Sequence, residues 1–259
     1  MKKLLCLLLI LFPFAGFSWG VLGHRIVGEV AESYLSSKAK SKIKHILGNE
    51  SIAMSSTWAD FIKSDSTYNY ISSWHYDNFP SALTKDAFYK YLEEDTTEGA
   101  FSAFKFLKSE LKKKDLPLHK QAMYLKLLIH IVGDMHQPLH MGREEDLGGN
   151  RIRVMWFNDN VNLHQVWDEK LVNFQQLSYT EYENAINHTT SAQRKQWANA
   201  PVEEWLYESY QCAQKIYAGV SPEQKLGYRY NFDHIAMLNE QLLKGGVRLA
   251  GVLNEIYGR

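Results

Sequence analysis

The chain has 259 residues, and its 29 lysine and arginine residues balance 29 aspartate and glutamate residues, so the formal net charge is zero. This balance, without a basic tail or an arginine-rich run, excludes the strongly basic proteins that attract nucleic acid through their own cations. The length fits one large domain, and the 45% of hydrophobic residues is enough for a substantial core.

The first residues have the features of a secretory signal peptide. Residues 1–3 form a basic head, residues 4–14 are almost entirely apolar, and small residues precede Trp19. The apolar stretch is short for a membrane-spanning helix, which needs roughly 20 residues, and an uncleaved anchor is the alternative. We therefore predict a signal peptide over residues 1–18, a mature domain over residues 19–259, and a secreted or periplasmic protein without membrane insertion after cleavage.

Cysteine usage limits the covalent cross-links of this protein. The chain has two cysteines, and only Cys212 lies beyond the predicted signal peptide, so the mature chain cannot form an internal disulfide. A secreted protein of this kind relies on its core or on other cross-links. Bound metal ions would serve, and they would also supply the positive charge that a polyphosphate substrate requires.

Helical patterning dominates the mature chain, because apolar residues recur at the helical period in most segments. We predict helices over residues 24–47, 88–92, 100–111, 119–135, 162–174, 202–219 and 235–257. The alternating segment Arg151–Phe157 predicts one strand, and residues 65–80 carry the longest predicted loop. The fold class predicted is all-α, a single mainly helical domain with a minor β-hairpin or strand near residues 151–157.

Two histidine–aspartate pairs have helical spacing. His130 and Asp134 lie four residues apart on an otherwise apolar helix, and His164 and Asp168 repeat this spacing. Ionisable side chains in a core are costly unless they are paired or bind metal. A buried hydrogen bond explains a single pair as well as a metal does, but two pairs together with His140, behind a helix-breaking proline, favour metal.

Further ligand-type side chains lie towards the N-terminus, beside large aromatic residues. Asp60 follows Trp58 by two residues, His75 follows Trp74 directly, and His24 lies close to the predicted mature terminus. Nitrogen and carboxylate oxygen without thiolate suit zinc in a hydrolytic site. The eight candidate side chains are too many for one tetrahedral ion, so they predict a metal cluster.

These motifs occur in the order found in a known enzyme family. They are Trp19-x4-His24, Trp58-Ala-Asp60, Trp74-His75, His130-x3-Asp134-x5-His140 around Gln137-Pro138-Leu139, Gly148-Gly149-Asn150, and His164-x3-Asp168. Together they resemble the three-zinc nuclease family of fungal single-strand-specific nucleases, mung bean nuclease and plant bifunctional nucleases, whose fold is of the phospholipase C/nuclease type. The resemblance runs from Trp19 to about Leu171, and residues 172–259 contribute no motif to it.

The resemblance implies three Zn²⁺ ions and their ligands. The first zinc ion would be bound by Asp60, His75, His130 and Asp134. The second would be bound by the α-amino nitrogen and carbonyl oxygen of Trp19, by His24 and by the same Asp134, which bridges the two ions. The third would be bound by His140, His164 and Asp168. A terminal amine has a pKa of about 8 and loses its proton readily to zinc. This ligand would exist only after the signal peptide has been removed.

The resemblance also implies the reaction. Asp60, Lys63 and Asp134 take the catalytic positions, and Lys63 matches a basic residue that faces the phosphate, although an exposed helix lysine is the alternative. Zinc-activated water would cleave single-stranded DNA and RNA to products with 5′-phosphates, and 3′-nucleotidase activity can coexist on the same metals. The enzyme is expected to act as a monomer.

Substrate-binding residues follow from the same resemblance. Tyr76 matches an aromatic residue on which an unstacked base lies, and such stacking contributes roughly 1–3 kcal/mol. Asn78 or Asp77 would hydrogen-bond the base edge, and Asn150 would assist. A ring buried for packing is the alternative for Tyr76.

Two other functions compete with the nuclease. Zinc phospholipases C share the fold and the metal plan, but their first histidine lies further from the terminal tryptophan and their last pair ends in glutamate, whereas this pair ends in Asp168. A non-catalytic periplasmic zinc-binding protein would use the same ligands for storage. Such carriers often have a histidine-rich loop, and this sequence has none.

Overall fold

The structure, a computed structural model, describes residues 19–258, so the predicted signal peptide over residues 1–18 lies outside the described residues. The α-helices are α1 Val21–Ser33, α2 Ser37–Leu47, α3 Ile52–Ser55, α4 Trp58–Phe61, α5 Lys85–Glu94, α6 Ala100–Leu111, α7 Leu118–Asp134, α8 Leu163–Gln165, α9 Leu171–Phe174, α10 Tyr179–Ile186, α11 Ser191–Asn199, α12 Val202–Ala218 and α13 Tyr228–Tyr257. Short 3-10 helices cover Ile62–Ser64, Ser66–His75 and Pro138–Met141, and a π-helical turn covers Val166–Lys170. The strands are β1 Arg153–Trp156, β2 Asp159–Asn162 and β3 Lys225–Leu226. The predicted mainly helical domain with a minor β element is confirmed.

The predicted strand is one arm of a hairpin. β1 pairs antiparallel with β2, with Arg153 opposite Asn162, and β3 lies parallel to β1 on its other side. β2 has no alternating pattern to reveal it, because Val161 is its one buried residue. Asn162 then caps α8 by accepting the N–H of Gln165 at 2.7 Å, so the hairpin leads directly into the helical turn that carries His164.

The prediction of one continuous helix over residues 24–47 is wrong. The chain breaks between α1 and α2, where Ser36 Oγ accepts the N–H of Ala39 at 3.2 Å and starts the second helix. Asn254 Oδ1 accepts the N–H of Ser36 at 2.8 Å, which ties the break to the end of α13. Gly48 ends α2 with φ of 69°, a left-handed conformation that favours glycine.

The prediction of a loop over residues 65–80 is also wrong for residues 66–75. Ser66–His75 forms a 3-10 helix, started by Asp65 Oδ1, which accepts the N–H of Thr67 at 3.0 Å. Three residues per turn give no 3.6-residue periodicity, so the apolar pattern could not reveal it. This helix ends at His75 and brings that side chain to the functional site.

The core is one continuous apolar cluster around α7. This helix is buried from Leu125 to Asp134 apart from Lys126, and it packs against α1, α6 and α13, while α13 also runs along α1. Ionisable groups near the C-terminal end of α7 are therefore placed in the interior of the domain. Within residues 19–258, no helix has both the length and the apolar character needed to cross a bilayer.

Candidate metal centre

All eight predicted side-chain ligands converge in the interior. They form three groups, each with its ligand atoms within 4.8 Å of one another: His24, Asp60 and His130; His75, His130 and Asp134; His140, His164 and Asp168. All except Asp60 are buried. Because α1, α4, α7, α8 and two 3-10 helices each contribute ligands, only the tertiary structure assembles the centre.

Asp134 lies where the groups meet. Its Oδ2 is 3.0 Å from both His75 Nδ1 and His130 Nε2. Its Oδ1 is 3.4 Å from His24 Nε2 and 3.3 Å from His140 Nδ1. Although burial opposes ionisation, the neighbouring His130 and His140 hold the pKa of this carboxyl group well below its usual value. Each oxygen of the carboxylate thus faces a different set of histidines.

The third group has spacing that suits a tetrahedral ion. Bonds of about 2.0–2.1 Å place the ligand atoms of a tetrahedral zinc about 3.3 Å apart. His164 Nε2 lies 3.2 Å from Asp168 Oδ2, and His140 Nε2 lies 3.6 Å from Asp168 Oδ1. The two imidazole rings stack with their centroids 5.0 Å apart.

The histidines are oriented by their backbone partners. Three of them donate Nδ1–H to a carbonyl oxygen: His130 to Ser56 at 2.6 Å, His140 to His75 at 2.7 Å, and His164 to Gly148 at 2.6 Å. A carbonyl can only accept, so the proton of the neutral ring is on Nδ1 and the lone pair is on Nε2. This is the usual arrangement of a metal-binding histidine with its supporting hydrogen bond.

Several buried nitrogen and oxygen atoms in the centre lack hydrogen bonds of normal geometry within residues 19–258. They are the two ring nitrogens of His24, one of which is an acceptor in the neutral ring, with Asp134 Oδ1, His140 Nε2 and Asp168 Oδ2. Such atoms are costly in an interior unless a cation satisfies them. Burial lowers the pKa of His75 to about 4, so this ring is neutral at pH 7 and its Nδ1 can bind a metal. The residues present therefore fit metal ions with nitrogen and oxygen ligands.

The N-terminal end of the described chain lies beside these ligands. Trp19 is fully buried, and the N–H of Gly20 donates to the carbonyl oxygen of Asp168 at 2.9 Å. The His24 ring packs against Gly133, where a Cβ atom would lie 2.8 Å from Nδ1, and it stacks on His130 with centroids 3.9 Å apart. His24 therefore contacts two residues of the centre. It stacks on His130, and it also faces Asp134, which is the partner that the resemblance implied.

The glycine-rich loop approaches the site through its backbone. Gly148 has φ of 64°, and a Cβ atom there would lie 2.3 Å from the carbonyl oxygen of Leu139, so only glycine fits. This approach places the Gly148 carbonyl against His164. The amide of Asn150 is used within the loop, since its Nδ2 donates to Leu147 O at 2.9 Å and its Oδ1 accepts from Asn162 at 3.3 Å.

The residues after His75 differ in their exposure. Tyr76 is 44% exposed, which contradicts the packing alternative, and Asn78 is half-buried. Asp77 is buried, and its Oδ2 accepts the N–H of Phe101 at 2.8 Å in the first turn of α6. Burial raises the pKa of Asp77 to about 7. Of the two candidates for the base edge, Asn78 is therefore the accessible one.

Lys63 lies at the edge of the metal groups. Its Nζ is 2.6 Å from Asp60 Oδ1, and both side chains are partly exposed. Burial opposes ionisation of Asp60, but His130 and Lys63 hold the pKa of its carboxyl group below the usual value. A fixed ammonium group thus stands next to a ligand-type carboxylate at the solvent-facing side of the centre.

Sequence reasoning missed the residues that hold the backbone between Asp134 and His140. Ser209 Oγ on α12 donates to Met135 O at 2.6 Å. Gln241 Nε2 on α13 donates to His136 O at 3.1 Å and also to Ser209 Oγ at 2.9 Å. All of these groups are buried. The helices without a recognisable motif therefore fix the turn that carries the central ligands.

The side chain of His136 belongs to the same network. Its Nδ1–H donates to Val132 O at 2.7 Å, which leaves Nε2 to accept from Arg248 Nη1 at 3.1 Å. Arg248 is 1% exposed and pairs through Nη2 with Glu208 Oε2 at 2.8 Å. Burial, together with the charge of Arg248, holds the pKa of His136 well below its usual value. Local sequence spacing cannot predict this contact, because His136 and Arg248 are 112 residues apart.

Comparison with known proteins covers the same part of the chain. The model of a family described as S1/P1 Nuclease matches residues 19–258. Endonuclease 3 of Arabidopsis thaliana is 29% identical over 262 residues, covering 92% of this chain and 89% of that protein. Nuclease P1 of Penicillium citrinum is 30% identical over 270 residues, covering 93% and 98%. Nuclease S1 of Aspergillus oryzae is 33% identical over 166 residues, covering 60% and 55%.

Proposed function

Because the chain belongs to the S1/P1 nuclease family and is therefore a hydrolase of phosphodiester bonds, we propose that it is a zinc-dependent endonuclease that cleaves single-stranded DNA and RNA. Its products would carry 5′-phosphates, and 3′-nucleotides would be further substrates. The observation that carries the proposal is the convergence of three histidine–aspartate groups in one centre. A ligand set of nitrogen and carboxylate oxygen, without thiolate, supports zinc in a hydrolytic role.

We propose that the ligand groups hold three Zn²⁺ ions. The residues that would hold them are Asp60, His75, His130 and Asp134 for the first; the Trp19 backbone, His24 and Asp134 for the second; and His140, His164 and Asp168 for the third. When bound, zinc supplies Lewis acidity towards phosphate oxygens and lowers the pKa of water towards neutrality. The third group has three protein ligands, which leaves a position for substrate, as in other catalytic zinc sites.

The side chains around the ligands orient the reaction. Asp134 holds its two oxygens towards separate histidine sets, which supports its role as the bridging ligand. The Lys63 ammonium group, 2.6 Å from Asp60 Oδ1, would contact a phosphate at the solvent side. The backbone carbonyl oxygens keep the histidine rings aligned, so the ligands need little reorganisation when metal and substrate bind.

The preference for single strands rests on Tyr76. Its ring is 44% exposed and directly follows His75, so an unstacked base can lie on it beside the metal centre. Bases inside a duplex are covered by their neighbours and cannot reach such a ring without being extruded. Asn78 is the proposed partner of the base edge, and Asn150 supports the loop beside it.

We also propose that the enzyme acts outside the cytoplasm, secreted or periplasmic, as a monomer. The buried position of Trp19 next to the Asp168 backbone supports this idea, because a processed terminus there would add its amine to the ligands. Retention of residues 1–18 would instead place a peptide bond at this position.

A substrate panel tests the proposed function. Purified protein is incubated with single-stranded DNA, single-stranded RNA, duplex DNA, a choline phospholipid and a 3′-mononucleotide, with and without a chelator. We expect cleavage of both single strands to 5′-phosphate ends, loss of activity with chelator, and recovery with zinc. Equal rates on duplex and single-stranded DNA would contradict the strand preference. Hydrolysis of the phospholipid alone would indicate a phospholipase, and zinc binding without any hydrolysis would indicate a carrier.

A further inference from the structure

Phe61 has the largest exposed fraction, 84%, among the large apolar side chains of residues 19–258. Single exposed apolar residues are common on protein surfaces, so the exposure alone has no functional meaning. The position of this ring, however, is unusual, because the residue before it is a ligand-type side chain of the metal centre.

The helix that carries Phe61 packs against the rest of the domain on its other side. In α4, Ala59 is buried, and the ring of Trp58 packs edge-on against Tyr68 with centroids 5.7 Å apart. Asp60 faces the centre, with its Oδ1 3.8 Å from His130 Nε2. Phe61 follows and projects into solvent, and no ring contact to it occurs among the described residues.

The arrangement around Phe61 matches the arrangement around Tyr76. Phe61 directly follows Asp60, and Tyr76 directly follows His75; both of these ligand-type residues lie against His130, with His75 Nδ1 2.9 Å from His130 Nε2. Two exposed aromatic residues therefore directly follow ligand-type residues of the two groups that share His130, and they come from different chain segments. A strand whose phosphate lies on the metals has one base on each side of the cleaved bond.

The positive charge of Lys63 also supports a single nucleic-acid strand as the ligand of this surface. Lys63 lies two residues after Phe61, and its ammonium group sits at the metal edge through its contact with Asp60. An aromatic ring beside a cation is the combination with which proteins bind single strands, since the ring stacks on a base and the cation attracts the adjoining phosphate.

We propose that Phe61 is a second base-stacking residue, which binds the nucleotide on the opposite side of the scissile phosphate from the one on Tyr76. The inference rests on the proposed function, because it needs a nucleic-acid substrate. It assigns to this enzyme a preference for substrates with two bases over those with one.

The test uses dinucleotides that have a single cleavable bond. Three substrates are compared: a deoxydinucleotide with both bases, and two versions in which either the 5′ or the 3′ nucleoside is abasic. The variants are Phe61→Ala and Phe61→Trp, and Phe232→Ala is the matched control because Phe232 is 72% exposed on α13. Melting temperatures of all variants are measured first, and an exposed ring predicts no change.

We expect Phe61→Ala to raise KM for the complete dinucleotide by about tenfold, within the range of base–aromatic stacking. The increase in KM should persist with the abasic substrate that keeps the base contacted by Phe61. It should vanish with the other abasic substrate, which lacks that base. Phe61→Trp should keep KM at or below the wild-type value, and Phe232→Ala should change nothing.

Two results would overturn the inference while leaving the proposed function intact. One is an unchanged KM of Phe61→Ala for the complete dinucleotide. The other is an equal increase for all three substrates, which would indicate a general effect on the metal site instead of stacking. If zinc-loaded wild-type protein cleaves neither the dinucleotides nor longer single strands, the proposed function itself fails, and the inference fails with it.

Discussion

Gln137 and Asp168 are joined by a hydrogen bond of 2.6 Å, in which Gln137 Nε2 donates to Asp168 Oδ1. The bond connects the turn after α7 with the π-helical turn that carries Asp168. Gln137 Oε1 also accepts the N–H of Leu139 at 2.6 Å, so the amide is fixed at both ends. One oxygen of Asp168 is thereby oriented by the protein, and Oδ2 is directed to the third group of ligands.

This bond predicts that Gln137→Met weakens the third metal site. Methionine has a similar shape but cannot donate to Asp168, and loss of such a supporting contact typically reduces metal affinity by about 10–100-fold. Zinc retained per protein is measured against chelators of graded strength. Gln211→Met, an exposed position on α12, is the control. Unchanged zinc retention in Gln137→Met would show that the bond does not support the ligand.

Asp134 should be more sensitive to amidation than Asp168. Its oxygens face two sets of histidines, whereas Asp168 faces one group, so Asp134→Asn should weaken two ions and Asp168→Asn one. We expect a lower zinc content and a larger loss of activity in Asp134→Asn. Mass spectrometry of the native protein gives the number of ions. Equal zinc content with equal loss of activity would argue against a bridging carboxylate.

Removal of zinc should destabilise the whole domain. Cys212 is the one cysteine in residues 19–258, so no disulfide joins the ligand-bearing elements there, and the buried acceptor atoms of the centre would lose their cation. We expect the melting temperature to fall by at least about 10 °C, since 1 kcal/mol corresponds to about 2–4 °C for a domain of this size. Scanning calorimetry with chelator, then with zinc or magnesium added back, measures the effect. Identical melting temperatures would mean that the metals do not stabilise the fold.

Arg248 should act on metal binding through His136. In Arg248→Met the acceptor His136 Nε2 loses its donor, and the turn between Asp134 and His140 loses one of its restraints. We therefore expect the gain in melting temperature on adding zinc to become smaller. Leu253→Ala is the control, because this buried aliphatic residue of α13 can lower stability but cannot hydrogen-bond the turn. A role confined to folding would lower the zinc-free and zinc-loaded melting temperatures of Arg248→Met equally.

The terminus beginning at Trp19 should be required for a complete site. Protein expressed with its signal is compared with protein that carries methionine or a tag before Trp19. An amide in place of the free amine is a far poorer zinc ligand, so the blocked form should lose about one zinc and most of its activity on single-stranded DNA. Full activity with a blocked terminus would show that Trp19 serves packing alone and that the side-chain ligands suffice.

Local patterns of the sequence predicted much of the fold and the eight histidine and aspartate side chains that converge in the structure. The spacing of apolar residues predicted α6 with its observed bounds and α7 to within one residue at either end. Such predictions succeed because the buried face of a helix requires apolar residues at the helical period. The helices α10 and α11, which the apolar period does not predict, begin at capping boxes formed by Ser178 with Glu181 and by Thr190 with Gln193.

Other features depend on contacts between distant parts of the chain. The break between α1 and α2 is tied to Asn254, and the partner of His136 is Arg248; neither contact has a local signature. By itself, the sequence determined the chemistry of the site, because ligand types and their helical spacing are local properties. Only the tertiary structure decided which oxygen of Asp134 faces which histidine and that Phe61, next to Asp60 in the chain, stays in solvent, because packing of separate elements sets side-chain direction and exposure.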